Sequence, residues 1–259
     1  MDHKSKLINK YKKKINLVKK HNKLYFTKDN PEITDAQYDE LKKEIFDLEK
    51  KNNFLKNLNL NQIVGSPPSN KFEKIKHLKP MLSLSNAFDK NDMKDFLSKI
   101  NNFLNNKNAE LEFFAEPKID GISATLVYEK GKLIRGLSRG DGTTGEDILA
   151  NLKTINKIPK KLKGNNIPHL LEIRAEIYIG KKDFNNIKSD FANPRNAAGG
   201  SLRQKNSNET SKIPLAYFAY GFGAVDPMIF KTQSEFLEKI NKWGFSINPL
   251  SKKVKSIIE

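Results

Sequence analysis

The stretch Leu111-Glu112-Phe113-Phe114-Ala115-Glu116-Pro117-Lys118-Ile119-Asp120-Gly121-Ile122-Ser123-Ala124-Thr125-Leu126-Val127-Tyr128-Glu129-Lys130-Gly131-Lys132 decides how the larger part of the chain folds. Aromatic and β-branched residues bounded by turn-formers predict strands over 111–118 and 122–129. Glu129-Lys130-Gly131-Lys132 then predicts a tight hairpin turn into a third strand over 132–138. Between the first two strands, Gly121 allows a bend or the close approach of another backbone. Further on, Leu171, Ile173, Ala175, Ile177 and Ile179 alternate with Glu172, Arg174, Glu176 and Tyr178. That is the period of a half-buried strand whose polar face holds charge of both signs. Residues 214–221 predict another, aromatic-rich strand. Strands joined by short turns, with helices before and after them, predict an α+β fold with largely antiparallel sheets.

Upstream the period changes. Ile8, Tyr11, Ile15, Val18 and Tyr25 recur at helical spacing, and Pro31 and Thr34 mark a turn. Thr34 with Gln37 has the form of a capping box, ahead of Tyr38, Leu41, Ile45 and Leu48 on a second helix. Together they predict a helical hairpin ending near residue 60. Gly65-Ser66-Pro67-Pro68-Ser69 reads as a linker, which divides the chain into 1–66 and 67–259. Asp89 is placed to cap a helix with Met93, Phe96, Ile100 and Phe103 on one face. Thr232, with Glu235, is placed to cap a last helix through Phe236, Ile240 and Trp243.

The chain has 259 residues, no cysteine and a formal net charge of +17. The absence of cysteine excludes disulfides and thiolate zinc sites within it. His3, His21, His77 and His169 are scattered, which argues against a histidine metal cluster, and no metal-ligating set is assigned. No apolar run approaches the roughly 18 residues of a membrane span, and no secretory leader is visible. The charge suits a polyanionic partner. Of 47 basic residues only five are arginine, Arg135, Arg139, Arg174, Arg195 and Arg203, all within one window. In a chain that otherwise uses lysine, arginine marks places where a planar, bidentate donor to phosphate or carboxylate is needed.

Lys118 is a candidate amine nucleophile. To attack it must be unprotonated, and desolvation or neighbouring charge favours that form. Asp120 would share the strand face of Lys118 if the extended backbone continues, and could orient the amine or a metal ion. Arg139-Gly140-Asp141-Gly142 supplies a tight loop with a phosphate clamp. Glu176, on a polar strand face, could receive a ribose hydroxyl or a metal. Asn193-Pro194-Arg195-Asn196-Ala197-Ala198-Gly199-Gly200-Ser201-Leu202-Arg203 separates two arginines by small residues. As a helix it would space both for a phosphate backbone, or pack closely through the small side chains.

Several motifs, taken in order, resemble the N-terminal part of bacterial NAD-dependent DNA ligases. They are Tyr25; Asp35-Ala36-Gln37-Tyr38-Asp39; Pro80-Met81-Leu82-Ser83-Leu84; Glu116-Pro117-Lys118-Ile119-Asp120-Gly121; Arg139 through Asp147; Glu176; and Phe191-Ala192-Asn193-Pro194-Arg195 through Arg203-Gln204. The resemblance covers nearly the whole chain and implies a helical nicotinamide-binding domain followed by a nucleotidyltransferase (ATP-grasp-like) domain. It implies that Lys118 attacks the adenylyl phosphate of NAD and expels nicotinamide mononucleotide. AMP would then pass to the 5′-phosphate of a nick in duplex DNA, and the 3′-hydroxyl would displace it. By matching positions, Glu116, Ile119 and Tyr220 would line the adenosine pocket, Arg139 and Glu176 would hold ribose and phosphate, and Ser83 and Leu84 would approach the nucleotide. Tyr25, Asp35, Tyr38 and Asp39 would grip the nicotinamide half. Arg195 and Arg203 would meet DNA phosphates. The resemblance further implies Mg²⁺ (or Mn²⁺) as cofactor, a role in DNA replication and repair, and a cytoplasmic monomer.

The chain departs from the family pattern at Phe26 (usually Tyr or His), Ser85 (usually Asp), Ala175 (usually Gly) and Gly199 (usually Ala). Phe26 removes a polar tip from the nicotinamide site. The family continues into strands carrying further phosphate-contacting lysines, then an OB domain, a four-cysteine zinc module, helix-hairpin-helix repeats and a BRCT domain. None is found before Glu259, so the expectation is a C-terminally incomplete adenylation domain that does not seal nicks unaided, with zinc confined to the missing part. Two other readings stay open at this point. One is an ATP- or GTP-dependent nucleotidyltransferase, which would share Lys-x-Asp-Gly but not the hairpin. The other is a non-catalytic module that binds NAD or DNA.

Overall fold

The computed structural model of the protein describes residues 3–26, 32–58, 72–105, 111–187 and 191–256, with the side chains of residues 3, 25, 26, 35 and 36 outside that set. The linker at 65–69, and with it the boundary between 1–66 and 67–259, falls outside the described residues.

Helices α1 (His3–Phe26) and α2 (Asp35–Lys51) form the expected hairpin, continued by a short α3 (Asn53–Lys56). The capping box is present: the Thr34 hydroxyl accepts from the Gln37 backbone N–H, and the Gln37 side chain accepts from the Thr34 N–H. Tyr11, Ile15, Val18, Ile45 and Leu55 are buried between the helices, and the Tyr11 hydroxyl donates to Glu49.

The larger part is built on an antiparallel four-stranded sheet ordered β4-β3-β6-β7: β3 (Ile122–Glu129), β4 (Lys132–Ser138), β6 (Leu170–Ile179) and β7 (Leu215–Asp226). Two small antiparallel pairs flank it: β1 (Lys74–Lys76) with β5 (Thr144–Glu146), and β2 (Phe113–Ala115) with β8 (Lys252–Val254). The architecture is α+β with antiparallel sheets, as expected. One sheet face carries Ala124, Leu126 and Tyr128 of β3, Leu171, Ile173, Ala175 and Ile177 of β6, and Tyr217 and Ala219 of β7. It packs on the short helix α5 (Leu149–Leu152) and on α9 (Gln233–Lys242), whose Phe236 and Ile240 are buried. Thr232 caps α9 by accepting from the Glu235 N–H. Helix α7 (Pro194–Leu202) buries Ala197, Ala198, Gly199 and Ser201, so the small residues do serve close packing.

Three local expectations are corrected. The strand over 111–118 is regular only at β2, because Pro117 cannot donate to a ladder. The backbone from Glu116 to Asp120 is irregular, so Asp120 does not share a strand face with Lys118. The face of β6 opposite the core is not half-exposed along its length: Glu172 and Arg174 are buried. The helix capped by Asp89, α4 (Lys90–Phe103), forms as expected; it buries none of its residues, and Phe96 and Phe103 are exposed.

Candidate active site

Cross-strand register assembles the site. On the face of the main sheet away from the core, β3 and β6 pair Ser123 with Glu176 and Thr125 with Arg174. The Ser123 hydroxyl donates to the Glu176 carboxylate at 2.6 Å. The register of β6 with β7 shifts at Arg174/Ala175, where Ala175 faces Ala219 but Arg174 faces Gly221. Tyr220 lies in that irregularity, and a bulge of this kind re-aims a side chain. Its hydroxyl is turned to Ser123, Glu176, Arg174 and Arg139, and burial raises it above the ordinary tyrosine range.

Gly121 brings the segment that carries Lys118 against β6. A Cβ there would lie 2.3 Å from the Ile177 carbonyl oxygen and 3.0 Å from Glu176 Cγ, so only glycine fits without displacement. The Gly121 N–H donates to Glu176. Lys118, three residues earlier, is exposed. Burial pushes the Glu176 carboxyl above its ordinary value, against Ser123, the Arg195 and Lys118 charges and the Gly121 N–H, which favour its ionised form. Asp120 turns away to accept from Arg195 of α7 at 3.1 Å. Helix α7 thereby ties Arg195 to the Lys118 segment, while Arg203, at its C-terminus, approaches Glu146 at 3.7 Å.

Arg139 closes the other side. Its guanidinium donates to the Ser83 hydroxyl at 2.9 Å. Burial lowers its pKa, Tyr220 and Glu176 raise it, and Arg195 lowers it again, which places all three around it. Its buried Nε has no hydrogen-bond partner among the described residues. The loop that follows depends on Gly140, at φ 56, where a Cβ would fall 1.9 Å from the Thr144 carbonyl oxygen. The Asp141 carboxylate accepts from the Thr143 and Thr144 N–H groups.

A strap without regular structure, residues 77–83, seals the remaining polar face. His77 and Met81 bond through backbone to Thr143 and Gly142. Beneath it the Arg174 guanidinium donates to Thr125 Oγ1 and to the Lys79 carbonyl, and pairs with Glu172 at 3.3 Å. Glu172 also accepts from the Ala224 N–H at 2.8 Å. The His77 ring lies 3.3 Å from Thr125 Oγ1 through Nδ1 and 3.1 Å from the Arg139 carbonyl through Nε2. Burial lowers its pKa.

Glu116 meets the site through α9: Gln233 donates to the Glu116 carboxylate at 3.1 Å and to the Tyr220 carbonyl at 2.8 Å. Desolvation raises the Glu116 carboxyl above its ordinary value, and the Gln233 bond opposes this. Ile119 is half-buried between Lys118 and Asp120, and Leu84 is exposed beside Ser83. In the hairpin, the Tyr38 hydroxyl donates to Asn22 at 2.6 Å, and Asp39 lies 3.5 Å from the Asn86 amide. The side chains of Tyr25 and Asp35 lie outside the described residues. Of the expected residues, Lys118, Glu176, Arg139, Ser83, Tyr220, Glu116 and Arg195 converge, while Arg203 sits at the far end of α7. Sequence reasoning missed Ser123, Gln233 and His77. Only cross-strand register reveals Ser123, and no local pattern marks the other two.

A concavity of about 450 Å³ lined by Lys157, Lys160, Lys161, Lys163 and Trp243 lies at the opposite end of β4 from Arg139 and contributes nothing to this cluster. Among the described residues no helix is long and apolar enough to cross a membrane.

Comparison with known proteins shows the family. A family model described as NAD-dependent DNA ligase adenylation domain matches residues 69–259, and one described as DNA ligase-like, N-terminal NAD⁺-binding domain matches residues 4–58. A DNA ligase of Pelagibacter ubique is 53% identical over 246 residues, covering 94% of this chain and 36% of that protein. A DNA ligase of Parvibaculum lavamentivorans is 46% identical over 243 residues, 90% of this chain and 34% of that protein. A DNA ligase of Coprothermobacter proteolyticus is 43% identical over 252 residues, 94% of this chain and 38% of that protein. The chain thus spans about a third of the length of these curated relatives. It belongs to the NAD-dependent DNA ligase family and corresponds to that family's N-terminal NAD⁺-binding and adenylation domains.

Proposed function

We propose that this chain carries out the self-adenylation step of an NAD-dependent DNA ligase, with Lys118 as the acceptor. The Lys118 amine uses its lone pair to form an N–P bond to the adenylyl phosphorus of NAD. The P–O bond to nicotinamide mononucleotide breaks with its electron pair, and the nitrogen sheds a proton. The observation that carries this reading is the convergence of exposed Lys118, Glu176, Arg139 and Tyr220 at one end of the main sheet. Arg139, with Ser83 and an unpartnered Nε, is suited to clamp the phosphate or ribose. Glu116, Ile119, Leu84 and Tyr220 would surround the adenosine, with Glu116 reading the base. Tyr25, Asp35, Tyr38 and Asp39 would hold the nicotinamide half, which makes 1–66 the nicotinamide-binding domain and 67–259 the adenylation domain.

Among the described residues no set of three metal-ligating side chains converges. Glu176, near Lys118, fits instead a Mg²⁺ that would arrive with the substrate phosphates and take a single protein carboxylate, Asp120 being held by Arg195. Such an ion would neutralise phosphate charge. In the whole protein, AMP would pass to the 5′-phosphate of nicked duplex DNA, and Arg195 and Arg203 would support the strand phosphates. Replication and repair in the cytoplasm, by a monomer, is the corresponding cellular setting.

Intact mass spectrometry after incubation with NAD and Mg²⁺ tests the proposal. The parent chain should gain one AMP, and Lys118→Ala should gain none while melting at an unchanged temperature. An adduct that survives Lys118→Ala, or that forms from ATP in preference to NAD, would overturn it.

A further inference from the structure

Among the described residues α2 of the hairpin meets the segment after the strap, and a residue at that meeting lies outside every motif quoted above. Lys42 lies on α2 one turn beyond Tyr38, with Asp39 between them, so all three share one side of the helix. Its Nζ stands 5.2 Å from the centroid of the Tyr38 ring. The same stretch of α2 meets the segment that follows the strap: Asp39 contacts Asn86, and Lys43 lies over the Phe88 ring at 5.3 Å. That segment continues from Ser83, the residue bound by Arg139. Through this contact the exposed Lys42 comes within electrostatic reach of Arg139, with Asp39 alongside.

Two cations brought together with one carboxylate leave an excess of positive charge. Desolvation pulls the Lys42 ammonium below the ordinary lysine range, Asp39 opposes this and Arg139 adds to it. The unpartnered Arg139 Nε is a second sign that a ligand belongs here. An anion placed between Lys42 and Arg139 relieves both. The proposed reaction supplies one at this place: a pyrophosphate must pass from the adenylate, beside Arg139, to the nicotinamide half, beside Tyr38 and Asp39.

We infer that Lys42 binds the phosphate of the nicotinamide mononucleotide half of NAD, and so holds the leaving group that departs when Lys118 is adenylated. The inference rests on the function proposed above and adds to it a ligand for the second phosphate. When the P–O bond breaks, the electron pair stays on that phosphate, and a charge-assisted hydrogen bond from Lys42 strengthens as its charge grows. Lys42 forms no covalent bond.

The test compares two probes that differ only in that phosphate, nicotinamide mononucleotide and nicotinamide riboside. Their binding to the parent, Lys42→Met and Lys42→Arg is measured by calorimetry. The parent should bind the mononucleotide about tenfold or more tightly than the riboside. Lys42→Met should erase most of that advantage without changing riboside affinity, and Lys42→Arg should restore it. An advantage that persists in Lys42→Met overturns the inference. So does a loss that falls equally on both probes, which would mean a structural role, or a parent that binds neither. Adduct formation from NAD by the parent reports on the proposed function separately: its failure would remove that function, while the two probes would still decide whether Lys42 recognises the phosphate.

Discussion

Glu172 and Glu176 lie on the same face of β6, four residues apart, in opposite surroundings. Glu172 is fully buried, paired with Arg174 and bonded to the Ala224 N–H, under a strap whose Lys79 carbonyl takes a further bond from Arg174. Glu176 accepts from Ser123 and the Gly121 N–H, yet it opens toward Lys118, Arg195 and Arg139. The first carboxylate belongs to a buried ion pair that holds the strap to the sheet. The second belongs to an open cluster of charges of both signs, the surroundings in which the proposed function places the nucleotide.

The comparison can be broken most severely at its closed end. Arg174→Met leaves Glu172 buried without its cation, which costs about 3–5 kcal/mol. Chemical denaturation should show that loss, and replacing Glu172 as well with a residue of similar volume should recover part of it. A loss below about 1 kcal/mol would mean that the pair is hydrated and the strap is not fastened there.

Gly121→Ala acts on the open end. Its Cβ must move the Ile177 carbonyl or the Glu176 side chain. Overpacking of this kind costs about 1–3 kcal/mol, and the same shift should slow adduct formation more than it lowers the melting temperature. Equal effects on both would place Gly121 in the scaffold alone.

The smallest effect lies at the join between the two ends. The sheet face and the strap surround His77 with Arg174, Glu172, Asp141 and the Arg139 carbonyl, and burial lowers its pKa below the ordinary 6.5. A histidine with a lowered folded pKa contributes stability that is present above its unfolded value and lost as pH falls through the folded one. Melting temperature should therefore decline on acidification below about pH 6.5, and His77→Gln should flatten that decline. The raised Glu116 and Glu176 carboxyls act with the opposite sign on lowering the pH, so the difference between parent and variant is the quantity to read. An identical slope in both chains would show that His77 does not carry the effect.

Elements with a local chemical signature were legible before any coordinates. Thr34, Asp89 and Thr232 marked helix starts because capping is a contact within one turn. The alternation in β6 marked its core face for a similar reason. The ordered motifs pointed to Lys118, Arg139, Ser83, Glu116, Tyr220 and Glu176 as partners, and the geometry groups them. What escaped depends on contacts between distant residues. The strap has no periodicity, so nothing local announced that it would bury Glu172 and Arg174. Asp120 finds its partner in Arg195, 75 residues away. β8 has only three residues and exists through its pairing with β2. The apolar side of α4 was read correctly as a pattern, but a pattern does not say what, if anything, covers it.

The most direct test of the contrast within β6 is the adduct-formation rate of Glu176→Gln at saturating NAD, measured by intact mass beside its unfolding free energy. Glutamine keeps an acceptor for Ser123 and removes only the charge. The predicted result is stability within about 1 kcal/mol of the parent and a rate lower by roughly a hundredfold, the size expected when a charged contact to the reacting group is lost. A variant that forms the adduct at the parental rate, or that unfolds as readily as Arg174→Met, would contradict the account.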